Sequence, residues 1–256
     1  MSTSGSSVGF GFQIALLART PPRKAVVAFS EPSSPARSNK LTRGTQILTV
    51  NGVHVASGDA AVLNEGLFSP LAGKKYTFQV LDLDSTNTRT FDMTATTVTS
   101  TPVRNVRTLA APYTNAGYLQ FNDHIATSES QLISAINQLK AANNGAGVAD
   151  LVLDLRYNGG GLLSIASELA YMIAGDVATR GKAFGKLRFN DKNLFNATDA
   201  DSIPPFYKVT QGFLTVRTSP LPQLNLPCVF VLTGGGTFSA SETIMNGLTG
   251  IGVEVI

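Results

Sequence analysis

The chain has 256 residues, 43% of them hydrophobic and only 14% charged, with a net charge of +3. That length favours two domains with real cores, the apolar content excludes a disordered chain, and so small a basic excess excludes nothing but argues for no nucleic acid partner. A single cysteine, Cys228, excludes an internal disulfide framework, and no uninterrupted apolar run is long enough to cross a bilayer.

Residues 1–7 are Ser/Gly-rich, lack the basic start and apolar stretch of a signal peptide, and are expected to form a disordered, linker-like start. Residues 8–98 read as short strands of a small, mostly β module. The runs 12–17 and 26–29 flank the turn-like Thr20-Pro21-Pro22-Arg23, and Pro35 sits in the first turn of a short helix. Asn51-Gly52 supplies the left-handed geometry of a tight hairpin turn after the strand that ends at Val50. A helix is expected over 59–67, and paired strands over 76–83 and 89–98. Residues 99–116 are extended, polar and broken by Pro102 and Pro112, and read as a linker strand.

From residue 117 the rhythm changes. Strands are expected at 117–121, 150–155, 185–190, 228–232 and 253–256, and helices at 129–142, 162–174 and 239–248. Strands alternating with helices imply an α/β layer with largely parallel pairing. Residues 191–222 are long, polar and proline-broken, either a functional loop or an insertion.

Two turns in this second part carry chemistry. Ser239-Ala240-Ser241-Glu242 follows an apolar strand and the turn Gly234-Gly235-Gly236, and opens a helix. One reading is a capping box, with Ser239 as N-cap and Glu242 reaching back to it. The other is a nucleophile: a hydroxyl at the positive end of a helix, with the Ala240 N–H aimed where an oxyanion would form. Ser241, one residue on, is a weaker candidate placed on the helix flank. Asp154-Leu155-Arg156-Tyr157-Asn158-Gly159-Gly160-Gly161 also follows an apolar strand and opens a helix. Its glycines allow close backbone approach of a ligand. It has neither a P-loop lysine nor dinucleotide spacing, so a phosphate site ranks low, and Asp154 and Arg156 read equally well as a structural ion pair. Among residues that could serve as a base, His124 is one candidate, with a surface loop histidine as the plainer reading; His54 lies in the first module and is not expected to reach Ser239, and Lys182, Lys186, Lys192 and Lys208 look solvated. Cys228 is expected to be buried and inert. No His/Cys/carboxylate cluster has metal-ligand spacing, so no metal or cofactor is expected.

Together these stretches resemble the carboxyl-terminal processing (tail-specific) peptidases, serine peptidase family S41. Residues 154–163 look like the family's D-L-R-x-N-x-G-G-[GA]-L signature, with Gly159 where many members have proline, and residues 229–242 look like its nucleophile segment. Gly9-Phe10-Gly11-Phe12, Ala36 and residues 41–52 look like a PDZ module, with Gln46 where many such modules carry aspartate. The resemblance implies a mostly β PDZ-like domain (8–98), a linker (99–116) and an α/β, ClpP/crotonase-like peptidase core (117–256). It implies Ser239 as nucleophile, the N–H groups of Ala240 and Gly160 as oxyanion hole, and a buried lysine as base. That lysine is expected past residue 256, so residues 1–256 alone are expected to be inactive or nearly so. An alternative is a peptide-binding protein without catalysis. In the PDZ-like module a substrate's terminal carboxylate would dock on the N–H groups of Gly9, Phe10, Gly11 and Phe12, with the Phe10 and Phe12 rings lining the pocket for its last side chain. Partners are then protein or peptide C-termini, and the location implied is the bacterial periplasm or cell envelope.

Overall fold

A computed structural model of the chain describes residues 5–189, 192, 198, 203–213 and 218–256. It divides into two compact units at Thr101/Pro102.

The first unit holds β1 (Ser6–Gly9), β2 (Phe12–Ala18), β3 (Lys24–Ser30), α1 (Pro35–Ser38), β4 (Gln46–Val50), β5 (Val53–His54), α2 (Ala60–Phe68), β6 (Lys75–Leu81), β7 (Thr88–Thr94) and β8 (Thr96–Thr99). Its main sheet runs β2-β3-β4-β6-β7, with β5 folded onto β4, and β1 pairs only with β8. Ser6 and Ser7, expected in a disordered start, are therefore strand residues opposite Thr99 and Val98. The period-two pattern of β6 gives it one buried face. Tyr76, Phe78 and Val80 are buried, while Lys75 and Thr77 face water; each such ring or branched chain contributes roughly 1.5–3 kcal/mol on burial. Asn51 (φ 49°) and Gly52 (φ 78°) make the tight turn between β4 and β5. Asp59 caps α2, its Oδ1 accepting the Ala61 and Val62 N–H groups.

Phe10 corrects one expectation. Its ring lies in the core at 2% exposure, edge-on to Phe78 at 5.0 Å and to Tyr76 at 5.5 Å, with Phe12 packed partly buried against the same cluster. Phe10 therefore lines no open pocket: three neighbouring rings already enclose it, and edge-to-face packing adds to the gain from burial.

The second unit holds β9 (Val103–Thr108), β10 (Ala116–Phe121), α3 (Ser128–Ala141), β11 (Asp150–Asp154), α4 (Leu163–Thr179), β12 (Cys228–Leu232), α5 (Ala240–Gly250) and β13 (Glu254–Val255). The sheet order is β13-β12-β11-β10-β9, with β10 to β13 parallel and β9 antiparallel at the edge. The polar stretch after residue 99 thus contributes a strand, β9, because Arg104 and Arg107 pair in register with Gln120 and Tyr118. Residues 185–189 form no strand, and Asn190 lies outside the described residues. Of the long segment 191–222, the described parts form single bridges, Ala183 to Pro205 and Val209 to Pro220. Cys228 is half-buried at the start of β12, with its thiol pushed up by burial.

Leu151, Leu153 and Leu155 pack with Leu132, Ile136, Leu169 and Ile244 in one core. α4 is buried nearly all round. It breaks at Gly175 (φ 81°, ψ 173°), where the freed carbonyls of Met172 and Ile173 accept the Leu224 and Leu226 N–H groups. A side chain at 175 would meet Asn225 Oδ1 at 1.9 Å, so only glycine fits.

A buried carboxyl pair lies beside this helix. The Gln211 N–H reaches both Glu129 Oε1 (2.6 Å) and Glu168 Oε1 (3.0 Å), and the Gly212 N–H adds a bond to Glu129. Glu168 is fully buried and its Oε2 finds no donor among the described residues. Burial, then the neighbouring Glu129, push its pKa up to about 9. A proton on Glu168 supplies a donor between two carboxyls that would otherwise repel each other.

Candidate active site

The site is built where two neighbouring parallel strands end. Asp154 of β11 pairs with Leu232 of β12, and each strand leads through a glycine turn into a helix. Such C-terminal strand ends are where α/β sheets hold ligands. The turn after β12 is tied to the turn after β11. Thr237 Oγ1 donates to Leu155 O (2.8 Å) and accepts the Gly234 N–H (3.0 Å), and the Leu155 N–H bonds Leu232 O.

Ser239 stands at the head of α5 with φ 55° and ψ −120°, and it is exposed. That backbone conformation belongs to glycine, and holding a serine in it costs about 1–3 kcal/mol. The expected capping box is present: the Ser239 N–H donates to Glu242 Oε2 at 2.7 Å, and the serine side chain faces the Glu242 N–H, whose bond to the Ser239 carbonyl is 2.9 Å. No other partner engages Oγ among the described residues. The Ala240 N–H, first in the helix, has no acceptor among the described residues, while Ala240 itself is fully buried. Ser241 is no rival: it is buried, and its Oγ donates to Asn158 O at 3.0 Å.

Gly160 (φ 95°) packs directly against this serine. A methyl group at Gly160 would lie 2.7 Å from Ser239 Cβ and 2.9 Å from the Ala240 nitrogen. Its own N–H, however, corrects the expectation of an oxyanion donor, because it is spent on Asn158 Oδ1 at 3.0 Å. The Gly159 and Gly161 N–H groups take no part in the turn's hydrogen bonds.

Asn158 is the residue that sequence reasoning passed over. It is fully buried. Nδ2 donates to Phe121 O (3.0 Å), Oδ1 faces the Gly160 N–H and His124 Nδ1 (2.9 Å), and its carbonyl accepts from Ser241 Oγ and the Phe238 N–H. Through its side chain and its carbonyl this one residue thus links the end of β10, the glycine turn and the start of α5. The signal was an asparagine just before three glycines, the pattern of a side chain that folds a turn back on itself.

His124 is not on the surface as expected. It is 1% exposed, with its ring 4.5 Å from that of Phe121, because its backbone bridges to Gly161 and draws the side chain inward. Burial, opposed by the bonds to Asn158 and Gly160, lowers its pKa to about 4, so the imidazole is neutral. Asp154 and Arg156 form the structural pair. Arg156 Nε and Nη2 reach the two carboxylate oxygens at 2.9 and 2.6 Å, and the Tyr118 hydroxyl adds a third bond. Burial raises the Asp154 pKa, but these bonds outweigh it and hold the carboxyl below its ordinary range. Lys208 pairs with Asp176 at 2.7 Å in solvent. No group of three or more His, Cys, Asp or Glu that could hold a metal occurs among the described residues.

The family model of peptidase family S41 matches residues 115–256, more than half of the chain. The chain belongs to peptidase family S41. Among curated relatives, a carboxyl-terminal-processing protease from Picosynechococcus sp. is 29% identical over 66% of this chain and 39% of its own length. A chloroplastic C-terminal processing peptidase from Tetradesmus obliquus is 28% identical over 96% of this chain and 49% of its own length. This S41 chain therefore spans about half or less of the curated relatives it matches. A solved Bacteroides fragilis structure assigned to the S41 proteases shares the fold, with a TM-score of 0.64, 24% identity, and coverage of 98% of this chain and 63% of that one. No helix among the described residues of this family member is long and apolar enough to cross a membrane.

Proposed function

We propose that this S41 chain carries the nucleophile and the tail-binding module of a serine peptidase that acts on protein C-termini. The observation that carries the reading is the exposed Ser239 side chain, held in a strained backbone beside the Ala240 N–H and the Gly160 turn. In this reading Oγ attacks the scissile carbonyl and passes its proton to a base. The oxyanion is held by the Ala240 N–H and an N–H of Gly159 or Gly161, each worth about 3 kcal/mol in the transition state. The amine leaves with a proton, and water then hydrolyses the acyl ester on Ser239. By family resemblance the base would be a lysine, expected past residue 256.

The first unit would act as a PDZ-like module. β2 lies at the edge of its sheet, so a peptide can add beside it as a further strand. The carbonyls of Phe10 and Gly11 are turned inward, accepting the Ala36 and Glu31 N–H groups. Gly11 (φ 76°) packs so closely on Ser34 that a methyl group would lie 2.3 Å from its Cβ. The resemblance extends the site to an extracytoplasmic enzyme of the bacterial envelope.

The test uses unstructured peptides with a free or an amidated C-terminus and the full-length protein that carries this chain. Cleavage is expected, with kcat/KM about tenfold higher for the free carboxylate, the worth of one charge-assisted contact. Equal rates for the two peptides would remove the tail-binding role. Tight binding of the free-carboxylate peptides without hydrolysis would favour a peptide-binding protein.

A further inference from the structure

We infer that His124, as the neutral imidazole protonated on Nδ1, is a positioning residue for the glycine turn that faces Ser239. The inference rests on the peptidase reading for its effect on rate, but not for its structural content.

The tautomer follows from the bonds around Asn158. Nδ2 of Asn158 is committed to Phe121 O at 3.0 Å, so the oxygen of the same amide must face the Gly160 N–H. His124 Nδ1, 2.9 Å from that oxygen, therefore has to be a donor. The other nitrogen, Nε2, is then a bare lone pair, and it is buried without a partner among the described residues. A proton there would have no acceptor, in keeping with the depressed pKa.

His124 grips the turn in two further ways. Its N–H donates to Gly160 O at 3.3 Å, and its carbonyl accepts the Leu162 N–H at 2.8 Å. The backbone and Cβ of His124 also fill the space beside Gly161: a methyl group there would lie 2.4 Å from His124 O and 3.0 Å from its Cβ. The side chain adds what backbone contacts cannot, a second donor on Asn158 Oδ1. That donor is the third bond on an amide whose orientation the Phe121 carbonyl sets. Without it the Asn158 amide is held by Phe121 O and the Gly160 N–H alone, and the Gly160 peptide, which packs on Ser239 and Ala240, is less firmly fixed.

The test combines two readouts. Nitrogen NMR of the wild-type chain at neutral pH is expected to show His124 protonated on Nδ1 and bare on Nε2. In His124→Phe, which keeps a ring beside Phe121 but lacks the donor, hydrogen exchange at the Gly160 amide is expected to rise about tenfold, the worth of one hydrogen bond. Exchange at Leu153 in the strand core should not change, and His124→Gln, which restores a donor, should recover part of the protection. In the full-length protein the Phe variant should lose about tenfold in kcat with KM changed by less than about twofold. An Nε2-protonated or charged His124 at neutral pH overturns the inference, and so does unchanged Gly160 exchange in the Phe variant. If that variant does not fold, the wild-type tautomer decides. Absence of peptidase activity in the wild-type full-length protein, with the NMR results as expected, would count against the peptidase reading alone.

Discussion

Ser239→Gly is expected to give a protein that is both more stable and catalytically dead. The serine holds φ 55° and ψ −120°, a conformation open to glycine and strained for any residue with a Cβ. Releasing that strain gains about 1–3 kcal/mol, and the larger entropy of an unfolded glycine returns roughly 0.5–1 kcal/mol of it. The net gain of about 1 kcal/mol corresponds to a rise of about 2–4 °C in Tm for a unit of this size. The hydroxyl is lost in the same step, and peptide hydrolysis should fall by ~10⁴-fold or more if Ser239 is the nucleophile. The Ser239 N–H bond to Glu242 survives the change, because it uses only backbone atoms of residue 239. Calorimetry and a peptide-cleavage assay on the same preparation check both halves. A lowered Tm would mean that the serine side chain stabilises the turn, and undiminished cleavage would remove it from the chemistry.

The second large effect is expected at the buried carboxyl pair. An acid whose pKa is higher folded than unfolded contributes stability below its unfolded value and loses it as pH rises. Glu168, pushed from an ordinary 4.5 to about 9, therefore costs stability progressively between those two values. Glu168→Gln removes the ionisation while keeping an acceptor for the Gln211 N–H and a donor toward Glu129. Near pH 8 the variant is expected to be more stable by about 2–4 kcal/mol, the order of magnitude that a displacement of this size implies at about 1.4 kcal/mol per unit. The gap should close toward pH 4.5, where both proteins carry a neutral group. Urea unfolding at the two pH values measures it. A difference that does not change with pH would mean that Glu168 is not protonated in the folded chain.

The strand-turn-helix units of the second unit are legible in the residues themselves. Asp150-Leu-Val-Leu-Asp154 and Cys228-Val-Phe-Val-Leu232 are short apolar runs, each followed by glycines and then a helical pattern. The candidate nucleophile is legible for the same reason, since a serine after a glycine turn has few places to go. What escaped the sequence depends on partners far along the chain. His124 is buried by Phe121 and by Asn158, 34 residues on. Glu168 meets Gln211 43 residues away, and no local pattern forecasts that. The fate of the Gly160 N–H turned on a single neighbouring side chain, which spacing alone does not resolve. Phe10 and Phe12, two residues apart, differ in burial because Tyr76 and Phe78 close over the first.

The parallel register of Asp154 with Leu232 sets a tolerance on this protein's length. Adding one residue to either strand would carry one turn past the other by about 3.3 Å, enough to pull Ser239 off Gly160 and to reverse the facing of every side chain downstream. The segments 150–161 and 228–242 are thus closed to insertion. Any lengthening or trimming that leaves the chemistry intact has to fall elsewhere, and the stretch between α4 and β12, already long, is where the architecture leaves room for it.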